Sequence, residues 1–298
     1  MAITDYIFQE ETVIKQNFGQ WLVDKMVAAG WQQISSNPPS GPTDTAVNKF
    51  YMMKTTRPSD GLEAYIGIND GALRTSTNGS YNNLGINLMP DYTPGAPGTN
   101  GTSSRTLTGN GWITTNTSTT TSFSNIFKIA TTVALPLDTP LSIRFVISRT
   151  NVTLIVRVPS FYNVAGCVLF FGLPDTFLDE KPSSASVVFS TLTNGATNDS
   201  PMVSDTPLGV ATSSNMYEAN GEVLNVFKSP DQSGRFPLFP IYIGDTNTGI
   251  RHMVPSLYAM GTGGVLDRDI IQVGGMNFEV VVTAASLTGV GNTFAYRI

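Results

Sequence analysis

The chain has 298 residues, of which only 13% are charged, about half the roughly 25% usual in soluble globular proteins. Hydrophobic residues at 41% and aromatics at 10% supply enough apolar area to offset the entropy of ordering, which excludes a wholly disordered chain. With 17 Lys+Arg against 22 Asp+Glu there is no basic footprint for a phosphate backbone, and with one cysteine (Cys167) and one histidine (His252) neither a disulfide framework nor a Cys/His zinc cluster can form within one chain.

The opening Met1-Ala2-Ile3-Thr4-Asp5-Tyr6 lacks a basic segment followed by an apolar one, and no run approaches the roughly 18 apolar residues of a membrane span. The expectation is a soluble product made in the cytoplasm, with neither nucleic acid nor membrane as partner. From Thr4 to Ala29, Ile7, Ile14, Phe18, Trp21, Leu22 and Met26 recur at three-, four- and seven-residue steps, a spacing that predicts one amphipathic helix. Thr4 or Asp5 would cap its first turn, Glu10 and Glu11 would lie near the positive end of its dipole and Lys25 near the negative end, and Gly30 would close it in the left-handed conformation. Ile7, Ile14, Phe18 and Trp21 form its candidate interface stripe, although packing on the chain's own sheet is the ordinary use of such a stripe. Pro38, Pro39, Gly41 and Pro42 then make a connector that cannot continue a helix.

Beyond the connector the period becomes two. Phe50 to Met53, Glu63 to Ile68 and Phe127 to Ala130 read as short strands punctuated by Gly, Pro, Asn and Asp. Leu141 to Ile147 alternates, with large apolar side chains at odd positions and Ser142 and Arg144 expected to face water; a turn at Arg149-Thr150-Asn151 leads back through Val152 to Val158. Cys167 to Phe171 is an uninterrupted apolar run of strand length, as in a strand buried on both faces. Pro90 to Gly111 and the Thr-rich stretch Thr114 to Thr121 read as exposed loop or edge strand. Strands are expected again at Glu222 to Phe227, Leu238 to Ile243, Ile270 to Val273, Met276 to Ala284 and Phe294 to Ile298, with Gly274-Gly275 supplying the positive φ of a tight hairpin turn.

The resulting fold class is mainly β: an antiparallel β-sandwich or barrel-like domain with one N-terminal amphipathic helix over 1–192, a linker over 193–215, and a smaller C-terminal β module over 216–298.

Chemistry-bearing residues are few. His252 near Asp245, Asp267 or Asp269 would need a nucleophile and an orienting partner to act as a base, and the sequence identifies neither. The apolar neighbours Val168, Leu169 and Phe170 would raise the pKa of the Cys167 thiol rather than activate it. Gly244-Asp245-Thr246-Asn247-Thr248-Gly249 places oxygens at alternate positions but lacks the distal glutamate of a calcium loop. In Asp267-Arg268-Asp269 the arginine between the acids argues for a solvated turn or an intersubunit ion pair over a metal site. The Asn-X-Ser/Thr triplets at Asn78, Asn100 and Asn151 read as chance matches in an Asn/Thr-rich chain. No phosphate-cradling Gly loop ending in Lys-Ser/Thr occurs, which excludes a P-loop ATPase. No catalytic residue, cofactor or metal ligand is assigned, and the expectation is a protein that is not an enzyme.

The C-terminal wording Phe239-Pro240-Ile241-Tyr242-Ile243-Gly244, Gly249 to Ala259, Asp269-Ile270-Ile271 with Gly275 and Phe278, and Phe294-Ala295-Tyr296-Arg297 resembles the ending of structural proteins of tailed bacteriophage particles, especially tail, baseplate and neck components. The N-terminal order is similar too: a helix, Gly30-Trp31, the Leu141 to Val158 hairpin, then Tyr162 to Gly166 and Phe171 to Pro174. The resemblance implies a non-enzymatic virion subunit, assembled in the host cytoplasm as a homo-oligomer that works through intersubunit contacts in a ring, with other virion proteins as partners. A surface of Ser, Thr, Asn and Gly is cheap to cover, because little charge desolvation or side-chain entropy is lost. Edge strands near Thr114 or an exposed C-terminal strand would then be shared between subunits. The alternative function is a host-attachment module in which Tyr81, Tyr92 and Trp112, with Asn82, Asn83, Asp91 and Asn110 nearby, contact surface glycans.

Overall fold

The computed structural model describes residues 6–36, 49–71, 75–76, 79–80, 83–89, 91–99, 101–103, 123–124, 128–130, 133–134, 138–158, 167–173, 187–190, 202–204, 237–245, 249–260, 265–282 and 293–298. In chain order the elements are β1 (Gln9–Ile14), a 3-10 turn (Lys15–Asn17), α1 (Phe18–Ala28), β2 (Gln32–Ser35), β3 (Lys49–Thr56), β4 (Glu63–Gly71), β5 (Thr75–Ser76), β6 (Gly79–Ser80) and β7 (Asn83–Met89). There follow β8 (Phe123–Ser124), β9 (Lys128–Ala130), β10 (Val133–Ala134), β11 (Pro140–Ile147), β12 (Asn151–Arg157), β13 (Cys167–Gly172), β14 (Val187–Ser190) and β15 (Met202–Ser204). The chain ends with β16 (Phe239–Asp245), β17 (Gly249–Met260), β18 (Ile270–Val273), β19 (Met276–Val282) and β20 (Thr293–Arg297).

The protein is mainly antiparallel β with one short N-terminal helix, in a sandwich-like stack. A six-stranded sheet, β1-β11-β12-β13-β14-β15, is the middle layer. On one of its faces Leu141, Ile143, Phe145, Val152, Leu154, Val156, Leu169 and Phe171 share a core with Tyr51, Met53, Ile66, Ile68 and Ile86 of the sheet β2-β3-β4-β7-β8, and with Phe18, Leu22, Val23 and Met26 of α1. On the other face Ile155, Val168 and Phe170 share a second core with Ile241, Val254, Leu257, Ala259, Val281, Phe294 and Tyr296 of the sheet β16-β17-β20-β19-β18. Consecutive residues of β12 and β13 thus alternate between two cores, which is why their sequences read as continuous apolar runs. Each fully buried Leu or Phe in these layers contributes about 1.5–3 kcal/mol of transfer free energy.

The expected helix over Thr4 to Ala29 is corrected at its start. Residues Gln9–Ile14 are strand β1, paired with β11 from Gln9↔Phe145 to Ile14↔Pro140, and the helix begins only at Phe18. The β-branched run Thr12-Val13-Ile14 prefers the pleated conformation, and pairing with β11 supplies the partner that an isolated helix start would lack. Thr4 and Asp5, the expected caps, lie outside the described residues. The other end is as expected: Gly30 has φ 102°, its N–H donates to Val27 O at 3.0 Å, and Trp31 N–H donates to Met26 O at 3.0 Å, the two bonds of a Schellman closure.

The β11–β12 hairpin forms as expected, in the register Ser142↔Arg157 to Ile147↔Val152. The two polar residues of β11 do not face water, however. Ser142 is buried and Arg144 half-buried, because the C-terminal sheet covers that side. The Gly274–Gly275 turn has φ 58° and 80°, as the primed two-residue hairpin requires. β20, expected as an exposed C-terminal strand, lies between β17 and β19 with Phe294, Ala295 and Tyr296 buried. Within the expected linker 193–215, β15 is instead the sixth strand of the middle sheet, pairing Val188↔Ser204, Phe189↔Val203 and Ser190↔Met202. The expected strand at Glu222 to Phe227 and the Thr114 to Thr121 stretch lie outside the described residues.

Candidate functional site

The polar residues of β11 and β12 that point toward the C-terminal sheet meet a set of carboxylates there. Arg157 projects from the end of β12 and is almost wholly buried. Its Nε donates to Asp267 Oδ2 at 2.9 Å and its Nη2 to Asp267 Oδ1 at 3.0 Å, a bidentate pair. Nη2 also donates to Val280 O at 3.3 Å, while Nη1 donates to Glu279 Oε1 at 3.0 Å and to Tyr296 Oη at 3.4 Å. A guanidinium carries five N–H donors, and all five have an acceptor. Burial works against the Arg157 charge, but the hydrogen bonds to Asp267 and Tyr296 and the field of Asp267 outweigh it and hold its pKa above the ordinary guanidinium range. Burial pushes the Tyr296 hydroxyl well above its usual value, so it stays protonated.

The network continues outward. Glu279, 3% exposed, receives Arg157 on one oxygen and Arg144 Nη2 on the other at 3.0 Å; Arg144 Nη2 also lies 2.9 Å from Glu10 Oε2 on β1. Ser142 Oγ donates to Glu10 Oε1 at 3.3 Å and accepts from Arg268 Nη2 at 3.1 Å. Val282 N–H adds a bond to Asp267 Oδ1 at 3.0 Å. Deeper in the same layer, Thr153 and Ser256 share a hydrogen bond of 2.6 Å, Phe8 stacks on Tyr296 with ring centroids 4.6 Å apart, and Phe8 N–H donates to Arg297 O at 3.3 Å. The side chains are directed at one another, so this arrangement clamps two sheets together.

A second buried charge site lies at the start of α1. Asp70, at the end of β4, accepts the Gly19 N–H at 3.0 Å and caps the helix from a distant strand, while no side-chain cap bond comes from Asn17. Gly19 is what permits the approach, because a Cβ there would collide with the Asp70 carboxylate. Burial raises the Asp70 pKa to about 6 against the Gly19 hydrogen bond and the Lys15 charge. Burial likewise lowers the Lys15 pKa to about 8 against the pull of Asp70.

The stripe expected to form one interface is divided. Ile7 precedes β1 and is exposed, Ile14 is half-buried at the end of β1, and Phe18 is fully buried in the core beneath α1. Trp21 is half-buried; its indole N–H donates to Glu11 Oε2 at 2.8 Å and its ring meets Phe145 edge-on at 5.2 Å. Of the proposed glycan contacts, Tyr92 is only 6% exposed and packs with Phe50, Met52 and Met89, so its ring is a core element; Tyr81 and Trp112 lie outside the described residues. His252 stands on β17 opposite Ile243 of β16, Asp245 ends β16, and Cys167 begins β13. Asp267 is bound within its own chain, to Arg157, and Asp269 accepts the Leu266 N–H at 2.7 Å to fix its own turn. Arg157, Glu279, Lys15 and Asp70 were not singled out from the sequence, while Arg144 was read as facing water and Glu10 as lying at a helix start. The available signal was a charged residue, Arg157, closing the otherwise apolar strand Val152 to Val158.

Among the described residues no group of three or more His, Cys, Asp or Glu side chains is placed to hold a metal ion, and no helix is long and apolar enough to cross a membrane. No protein-family model and no curated protein sequence matches the chain.

Proposed function

We propose that this chain is a non-enzymatic structural subunit of a tailed bacteriophage particle, a tail, baseplate or neck component that works through contacts with copies of itself and with other virion proteins. The observation that carries the reading is the Arg157 junction, where five satisfied donors, a second arginine and two carboxylates are spent on fixing one sheet against another. Buried charge used in this way gives a body of defined shape, which a repeating assembly requires of its subunits. The resemblance at Phe239 to Gly244 and Gly249 to Ala259 supplies the class, and the charge-poor exterior is inexpensive to cover.

Quantitative mass spectrometry of purified particles tests the reading. The expected result is a stoichiometric copy number that survives repeated gradient purification. Absence or a trace amount overturns it, and binding of the isolated chain to host-surface glycans, with blocked infection, replaces it with the attachment role.

A further inference from the structure

Sheet edges expose unpaired N–H and C=O groups, and proteins blunt them with proline, bulges, charges or short strands. Most edges here carry such a device. β16 contains Pro240 and shifts register twice, β2 shifts register between Gln33 and Ser35, β1 carries Glu10 and Glu11, and β8 and β15 have two and three residues. β18 is short as well, at four residues, but carries no proline, bulge or charge. Ile270-Ile271-Gln272-Val273 pairs with β19 in unbroken register, contains no proline, glycine or charge, and has no partner on its outer side among the described residues. It is also flanked by exposed apolar surface, with Leu266 73% and Ile270 54% exposed.

The hairpin fixes which backbone groups point outward. A two-residue turn closes on the hydrogen-bonded pair Val273–Met276, and bonding alternates along an antiparallel ladder. Ile271 and Val273 therefore turn their amides toward β19, whereas Ile270 and Gln272 turn theirs away. The Val280 N–H bond to Asp269 O, 2.8 Å long, fits the alternation.

We propose that this edge pairs with the same edge of a second copy of the chain, antiparallel and about a two-fold axis through Ile271. In that register Ile270 lies opposite Gln272 of the second copy, and Gln272 opposite its Ile270, each pair exchanging both N–H···O bonds and extending the C-terminal sheet across the dimer. The second copy is favoured because the edge complements itself, each outward N–H meeting an outward C=O of the same edge run in reverse. The charges beside it are already engaged: Asp267 with Arg157, Asp269 with the Leu266 N–H, and Arg268 with Ser142. In this register no like charges are brought face to face. The inference does not depend on the virion reading and survives if the protein is absent from particles.

Sedimentation of the full chain across the micromolar range tests it. A dimer is expected. Gln272→Pro removes an outward donor without touching the β18–β19 ladder, and Ile270→Lys places an ammonium beside the edge; each is expected to weaken self-association by roughly tenfold or more. Circular dichroism and melting of both variants are expected to match the parent, and if one variant misfolds the other decides. A parent chain that stays monomeric throughout, or a folded variant that dimerises as tightly as the parent, overturns the proposal.

Discussion

Arg157 and Lys15 are both cations almost shut off from water, and their surroundings treat them in opposite ways. Around Arg157 every donor has an oxygen, and its pKa rises. Around Lys15 burial wins, its pKa falls to about 8, and Asp70, its electrostatic partner, rises to about 6 with Oδ1 lacking a hydrogen-bond partner. Burial alone therefore does not decide whether an interior charge is comfortable. The number and geometry of its partners does, since each unmet lone pair keeps its full desolvation cost in a low dielectric.

The largest effect is expected at Arg157, because a guanidinium with all five donors engaged leaves the most acceptors behind when it goes. Arg157→Met strips Asp267 of its arginine, leaving only the Val282 N–H, and Glu279 of one of its two arginines, and the expected loss in urea or thermal unfolding is about 3–5 kcal/mol. Arg157→Met combined with Glu279→Gln and Asp267→Asn removes the stranded charges as well and is expected to recover much of that loss. If the single and triple variants are equally unstable, the cost comes from packing, and the contrast with Lys15 loses its electrostatic basis.

How much of this was legible follows the same division. The β11–β12 hairpin and the Gly274–Gly275 turn were readable because alternation and turn chemistry are local. Ser142 and Arg144 were misread as solvent-facing because a polar residue on an alternating strand signals water only when no second layer covers it. Their partners, Glu279 and Arg268, lie more than a hundred positions away. Strand β1 was hidden because Ile7, Ile14 and Phe18 satisfy seven- and four-residue steps whether or not the chain is helical, and only the Thr12-Val13-Ile14 run argued otherwise. Strand β20 was legible, but its burial was not, because a terminal position does not reveal that the chain has already laid down both of its neighbours. Asp70 as a cap for α1 left no local trace, being separated from Gly19 by fifty-one positions.

The next effect tests the strained site through pH. The raised Asp70 pKa means that the folded state binds a proton more readily than the unfolded one between about pH 4 and 6, so this group's contribution to stability falls as pH rises through that window. Lys15 acts in the opposite sense at high pH. Its folded state gives up a proton from about pH 8, and stability is gained between there and the ordinary lysine range. Relative to Asp70→Asn, the parent chain is expected to lose about 2–3 kcal/mol between pH 4 and 6, read by unfolding at each pH. A flat difference would show that Asp70 titrates as an exposed carboxylate. Lys15→Met with Asp70→Asn is expected to be neutral or stabilising at pH 7, unlike the charge removals at Arg157.

Gly19→Ala separates the cap from ordinary helix propensity, because the two predict opposite signs. In an unobstructed helix the change gains up to about 1 kcal/mol. Here the added Cβ meets the Asp70 carboxylate, and a net loss of about 1–3 kcal/mol is expected in thermal unfolding. A stabilised variant would mean that α1 and β4 approach less closely than the Asp70 bond requires.

The smallest effect belongs to Glu11, which accepts from Trp21 Nε1 at 2.8 Å and Lys25 Nζ at 2.6 Å. Those two hydrogen bonds, that of Lys25 first, lower its pKa, so the stability it adds is present above the ordinary carboxylate range and is lost as pH falls through the depressed value. The carboxylate is more than a third exposed, and solvent screening limits its worth to less than about 1 kcal/mol. Glu11→Gln keeps an acceptor for Trp21 and drops the ion pair; it is expected to cost a few tenths of a kcal/mol at pH 7 and nothing once the parent carboxylate is protonated. Tryptophan fluorescence during unfolding would register this, since Trp21 sits on Phe145 at the seam between α1 and the middle sheet. A loss as large as that of Arg157→Met would show that this half-exposed pair is held as tightly as the buried one and that solvent screening does not weaken it.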